Sequence, residues 1–143
     1  RIRQVISLGS PLGQERRRAS ALNGVYESLN RTPGQTDESK WHVAPPVPTT
    51  AIYSRYDGVV DWRVCLQRNG HAQTENIEVI GSHNGMTLNP MVWAVLANRL
   101  ANPLDDWQPF RSRGLLRFTY PRPAWRGTDA GPGIPWHTGP ITA

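Results

Sequence analysis

Short runs of apolar and β-branched residues at three places along the chain predict buried strands. The runs lie near residues 4–8, 49–54 and 76–80, and residues that favour turns follow each of them. Strands of this kind are typically parallel, buried on both faces and joined by helical crossovers. The pattern therefore predicts an α/β fold built on a parallel sheet.

Helical periodicity occurs in the segments between and after these runs. Apolar residues recur at helical spacing between Glu15 and Asn30, and a shorter helical segment from Trp62 to Gln67 supplies the crossover into the third strand. A last helix is predicted near residues 90–101, because Asn89 suits the N-cap and Pro90 the first helical position. The apolar stripe expected to bury this helix against the sheet consists of Met91, Val92, Val95, Leu96 and Leu100.

One acid and one base follow two of the predicted strands. Asp57 comes directly after the strand at residues 49–54, and His83 comes after the strand at residues 76–80. In open parallel sheets the functional groups collect beyond the carboxyl ends of the strands, so we expect the two side chains to lie close together. A carboxylate that hydrogen-bonds one ring nitrogen of a histidine makes the other nitrogen a general base.

Each of the two residues also has a simpler explanation when it is taken alone. An Asp-Gly pair after a strand is most often a turn, because Asp caps its own backbone and Gly accepts positive φ. A Ser-His-Asn-Gly segment is usually a plain loop. The combination favours an acid–base pair, because Asp57 and His83 lie 26 positions apart and one helix-sized segment separates the two strands.

Two strings of residues resemble the C-terminal half of an α/β-hydrolase of the serine esterase and lipase kind. They are VPTTAIYSRYDGVV at residues 47–60 and ENIEVIGSHNG at residues 75–85. In that family the acid follows one late strand and the histidine follows the last, in the chain order Ser, Asp, His. The resemblance covers residues 1–122 and implies that Asp57 and His83 are the acid and base of a catalytic triad. It also implies a small-molecule ester or lipid substrate and neither a cofactor nor a metal.

The same resemblance gives a domain organisation. Residues 1–122 are expected to form a partial α/β-hydrolase domain, in which residues 15–48 hold a helix and a segment that often belongs to a cap over the acyl pocket in that family. A surface connection is the alternative for residues 31–48. Residues 123–143 are rich in Pro, Gly, Trp and Arg without periodicity, which predicts a mobile tail.

The nucleophile that such a triad requires is missing from the sequence. No Gly-x-Ser-x-Gly occurs in the 143 residues. Ser10 is a poor substitute, because Pro11 has no N–H to serve as an oxyanion donor and disfavours a helical conformation at Ser10. The chain starts with Arg1 rather than Met, and a strand-like run begins almost at once. We therefore expect a fragment whose serine lies upstream and which is nearly inert alone.

Charge and composition leave two other function classes open. The net charge is +5, and the basic residues include only one lysine, with the arginines scattered except at residues 16–18. A basic excess can indicate nucleic-acid contact, but scattered arginines do not favour it, so no nucleic-acid partner is expected. The alternatives are a non-enzymatic basic module that binds through residues 16–18 and the tail, and an inactive hydrolase remnant that keeps only the fold.

Other features of the sequence bound the remaining possibilities. Cys65 is the only cysteine, so no disulfide forms within the chain and a free, packed thiol is expected. No apolar stretch approaches the roughly 18 residues that span a membrane, and no signal peptide is visible. Localisation stays unassigned, with the cytoplasm as the default, and so does the oligomeric state.

Overall fold

The computed structural model of the chain describes residues 2–12, 44–68, 70–103, 105–112 and 114–123. The strands in these ranges are β1 (Val5–Leu8), β2 (Thr49–Tyr53) and β3 (Thr74–Glu78), and the α-helix is α1 (Pro90–Ala101). Short 3₁₀ helices cover Trp62–Cys65, Asn84–Leu88 and Gly114–Phe118. The predicted helix between residues 15 and 30, the arginines at 16–18 and most of the expected cap segment lie outside the described residues, as does the tail from residue 124.

The three strands form one parallel sheet in the order β1, β2, β3. The central strand β2 pairs with β1 from Val5 opposite Thr49, and with β3 from Thr49 opposite Thr74. In the described part of the chain, this small parallel sheet and α1 form the α/β arrangement that the apolar runs predict. All five residues of β2 are buried, whereas those of β1 are half-buried.

The third strand begins and ends two residues earlier than the sequence predicts. The predicted parallel strand is present, but the bounds of 76–80 are wrong, because the ladder with β2 ends at Glu78 and Ile80 is 53% exposed. The strand begins with buried polar side chains that precede the apolar run, so the apolar run places the start of the strand too late. Asn76, for example, accepts a hydrogen bond from the backbone N–H of Gln67 and donates one to the Gln67 carbonyl. Buried polar groups are tolerated in a strand when they are paired in this way.

The core lies on both faces of the sheet. Adjacent residues Ile52 and Tyr53 of β2 belong to different apolar clusters, as the alternation of side chains along a strand requires. The cluster around Ile52 comprises Ile52, Ile77, Val79, Met86, Val92 and Val95. The cluster around Tyr53 comprises Tyr53, Val60, Val64, Cys65 and Leu66.

Helix α1 closes the face that carries Ile52, but its buried stripe differs from the predicted one. Val92, Val95 and Arg99 are buried, whereas Leu100 is 69% exposed, so the prediction that Leu100 packs on the sheet is wrong. The stripe continues from Val95 to the position four residues later, which Arg99 occupies.

The start of α1 agrees with the sequence prediction. Asn89 is the N-cap, with its side-chain oxygen accepting the backbone N–H of Met91, and Pro90 is the first helical residue. The Asn89 amide also donates to the carbonyl of Ile80 at 2.7 Å. This residue therefore ties the helix to the chain that leaves β3. In the described residues no helix is long and apolar enough to cross a membrane.

The buried thiol of Cys65 leads to a prediction about chemical reactivity. Burial raises its pKa from 9.0 to about 12, and the charges of Asp57 and Asp61 add to the effect. Since the thiolate is the nucleophile, we expect iodoacetamide to modify the folded chain at pH 8 about a thousandfold more slowly than the unfolded chain. Because the folded pKa lies above the unfolded value, this thiol also lowers the stability of the fold as the pH rises from 9 to 12.

Mass spectrometry of the alkylated chain measures this effect, with the same reaction in concentrated guanidinium chloride as the control. Alkylation of the folded chain at the unfolded rate would show that Cys65 is accessible and ionised, contrary to its position in the core.

Candidate active site

The carboxyl ends of β2 and β3 are held together by a buried serine. Ser54 directly follows β2, and its hydroxyl oxygen accepts the backbone N–H of Tyr56 at 3.1 Å and of Gly81 at 3.2 Å. Gly81 belongs to the loop after β3, so one side chain joins the two loops that carry Asp57 and His83. Sequence reasoning missed this role, and the available signal is only a hydroxyl residue at a strand end, where such turns are common.

The carboxylate of Asp57 organises its own loop. Its Oδ1 atom accepts the backbone N–H groups of Val59 and Val60, both at 2.9 Å, and the side chain is only 1% exposed. The backbone N–H of Asp57 in turn donates to the carbonyl of Ser54. The turn that the Asp-Gly pair predicts is thus present. It uses one carboxylate oxygen and leaves the other free to bind elsewhere.

The second carboxylate oxygen binds His83. Nδ1 of His83 lies 2.7 Å from Oδ2 of Asp57, so the structure brings the two predicted site residues together. An ionised carboxylate only accepts hydrogen bonds, which means that Nδ1 carries the proton and donates it to Asp57. In the neutral ring Nε2 is then the acceptor, the form that a general base requires.

The second ring nitrogen of His83 belongs to a partly exposed side chain. The side chain is 32% exposed, and no described residue hydrogen-bonds to Nε2. Met86 fixes the loop that carries His83, because its side chain is buried in the core and its backbone N–H donates to the carbonyl of Ser82. A histidine whose Nδ1 is held by a buried carboxylate can take up a proton at Nε2.

The end of β1 also reaches the site. Gly9 is buried, has a φ of +53°, and passes close to both atoms of the Asp57–His83 hydrogen bond. Ser10 beside it is exposed, and its hydroxyl donates to the carbonyl of Leu8 rather than to the histidine. The geometry therefore gives Ser10 no contact with the base, while Gly9, which the sequence marks only as a strand end, is a close neighbour of the pair.

The described residues include no group of three or more His, Cys, Asp or Glu side chains that could hold a metal ion. The functional groups that the described residues bring together at the site are a carboxylate and an imidazole. Comparisons with family models, with curated proteins and with solved structures found no match to this chain.

Proposed function

We propose that Asp57 and His83 are the acid and base of a serine hydrolase site that acts on carboxylic esters, within the C-terminal part of an α/β-hydrolase fold. The observation that carries the proposal is the 2.7 Å hydrogen bond between His83 Nδ1 and the almost fully buried Asp57 carboxylate. Both residues follow adjacent parallel strands, and they stand in the chain order that such hydrolases use.

The arrangement supports a separate role for each of the two residues. Asp57 holds the tautomer in which Nδ1 is protonated and stabilises the positive charge that the ring acquires. His83 takes the proton of a serine hydroxyl at Nε2 as that oxygen attacks the ester carbonyl, and then gives it to the departing alcohol. The water that hydrolyses the acyl-enzyme is deprotonated by the same nitrogen.

The nucleophile in this proposal lies outside residues 1–143. The sequence contains no Gly-x-Ser-x-Gly, and among the described residues no serine hydroxyl hydrogen-bonds to His83. Nε2 of His83 is the atom to which the serine has to give its proton. The substrate is a small-molecule ester or a lipid ester, because a serine and histidine pair attacks an acyl carbon and needs no cofactor.

Binding of nucleic acid has less support in the described part of the chain. Arg99 is buried and paired with Glu75, and the Nε atom of Arg55 lies 3.1 Å from Glu78. These two arginines pair internally, which leaves them poorly placed to neutralise phosphates, whereas the arginines at 16–18 and the tail lie outside the described residues.

The test is to read the coding sequence upstream of Arg1 in frame and to express the chain together with any segment that carries Gly-x-Ser-x-Gly. We expect this longer protein to hydrolyse short p-nitrophenyl esters, and His83→Ala to lower kcat by at least about a thousandfold, since the base is lost. Residues 1–143 alone should show no turnover above background.

Two results would contradict the proposal. Equal rates in the longer protein and its His83→Ala variant would remove His83 from catalysis. Hydrolysis by residues 1–143 alone that is lost on His83→Ala would mean that the nucleophile lies within this chain. The upstream serine, replaced by alanine, is the matched control for loss of the acyl-enzyme.

A further inference from the structure

The end of β1 lies close to the acid–base pair, where a side chain would be crowded. A Cβ atom added to Gly9 would lie 3.2 Å from Oδ2 of Asp57 and 3.4 Å from Nδ1 of His83, the two atoms that the hydrogen bond joins. It would also meet the terminal methyl of Met86 at 2.7 Å. The methyl end of a methionine can swing away at low cost, and Nδ1 of His83 is at an ordinary contact distance, but Oδ2 of Asp57 would have to shift by a few tenths of an ångström within its hydrogen bond to His83.

The backbone of Gly9 is itself held in place. Its N–H donates to the carbonyl of Ile52 at 2.9 Å, which continues the pairing of β1 with β2 beyond Leu8. Its φ of +53° lies in the left-handed region, where a residue with a Cβ is strained. Retreat from the pair would therefore break a backbone hydrogen bond at the end of the sheet.

We propose that Gly9 is a positioning residue for Asp57 and His83. Its missing Cβ lets the end of β1 close over the hydrogen bond between them. The catalytic meaning of this inference rests on the proposed hydrolase function, whereas the positioning itself concerns only the geometry of the pair.

Close packing at Gly9 is expected to strengthen the hydrogen bond between Asp57 and His83. Gly9 and the buried Met86 lie on the Nδ1 side of the ring and help to exclude water from the carboxylate, whose side chain is 1% exposed. A hydrogen bond to a charged group is stronger where water is excluded. The His83 atom nearest to the Gly9 position is Nδ1, which binds Asp57, and not Nε2, the nitrogen that acts as the base.

Nuclear magnetic resonance of the ¹⁵N-labelled 143-residue chain tests this inference without any nucleophile or ester. A histidine N–H bonded to a buried carboxylate gives a strongly deshielded, slowly exchanging proton, and His83→Ala assigns the signal. We expect Gly9→Ala to move this resonance upfield or to broaden it, because the added methyl group displaces Oδ2 of Asp57, while the backbone amide spectrum stays that of a folded protein.

Two other glycines provide matched controls. Gly58→Ala adds a Cβ directly after Asp57, where no atom lies within 4 Å and φ is not positive. Gly114→Ala adds the same left-handed strain as Gly9→Ala, since φ is +62°, but again meets no atom within 4 Å. Both variants should retain the deshielded proton.

The double variant Gly9→Ala/His83→Ala covers the case in which Gly9→Ala does not fold. If the collision with the pair is the cause, removing the imidazole restores folding, whereas failure of both variants to fold would overturn the inference. A folded Gly9→Ala whose resonance keeps the position and width of the parent signal would also overturn it and would leave the proposed function untouched. Absence of the resonance from the parent chain would instead remove the pair on which the proposed function depends.

Discussion

Asp57→Asn is expected to lower ester hydrolysis by roughly 10⁴-fold in the protein that includes the nucleophile, without unfolding it. Asparagine keeps an oxygen that can accept the N–H groups of Val59 and Val60, so the loop retains both of its hydrogen bonds. The group that faces His83 becomes an amide NH₂, which donates. Nδ1 of the ring must then accept, and the proton moves to Nε2, where it blocks the uptake of a proton from serine.

The change of tautomer is measurable in the 143-residue chain itself. The ¹⁵N chemical shifts of the His83 ring should show the proton on Nδ1 in the parent chain and on Nε2 in Asp57→Asn. Asp61→Asn is the matched control, because Asp61 also accepts a backbone N–H, that of Arg63, yet its side chain is 37% exposed and makes no contact with His83. This control should leave both the tautomer and the rate unchanged.

A result in which Asp57→Asn retains the parent tautomer would mean that the carboxylate does not select it. Asp57→Ala serves a different purpose, because it removes the acceptor for two backbone N–H groups as well as the partner of His83. We expect it to destabilise the loop in addition, since each buried unpaired donor costs about 1–3 kcal/mol.

The parts of the fold that the sequence predicts well are those that local patterns determine. The bounds of β1, β2 and α1 follow from an apolar run, a turn and an N-cap, each of which acts within a few residues. The proximity of Asp57 and His83 also follows, because the carboxyl ends of adjacent parallel strands meet at one edge of a sheet. That argument needs only the order of the strands and not the details of packing.

The features that the sequence could not reveal depend on partners far along the chain. The sequence predicts that Glu75 lies at the surface, because its buried partner Arg99 is 24 positions away. Arg99 itself interrupts an apolar stripe. Ser54 joins two loops, and Gly9 meets the acid–base pair only because β1 lies next to β2. Hydrophobic periodicity carries no information about such pairings. It therefore placed β3 two residues too late in the chain and predicted that Leu100, rather than Arg99, is buried in α1.

The buried ion pair between Glu75 and Arg99 should make Arg99→Ala one of the most destabilising substitutions in the chain. Arg99 Nη1 lies 2.7 Å from Glu75 Oε1, and the two side chains are 3% and 11% exposed. Nη1 also donates to the carbonyl of Gln108, and Glu75 accepts the hydroxyl of Thr50 and the backbone N–H of Phe110. The pair thus joins α1, β2, β3 and the segment that follows the helix.

Removal of one partner leaves the other as an uncompensated buried charge, which costs about 3–5 kcal/mol in the free energy of unfolding. Urea denaturation measures this loss, and Arg63→Ala is the control, because Arg63 and Asp61 form an exposed pair worth about 0–1 kcal/mol. The double variant Glu75→Gln/Arg99→Met removes both charges together and should therefore cost less than Arg99→Ala alone. Equal losses for Arg99→Ala and Arg63→Ala would show that the buried pair contributes no more than a surface contact, and that the network around Glu75 does not hold α1 on the sheet.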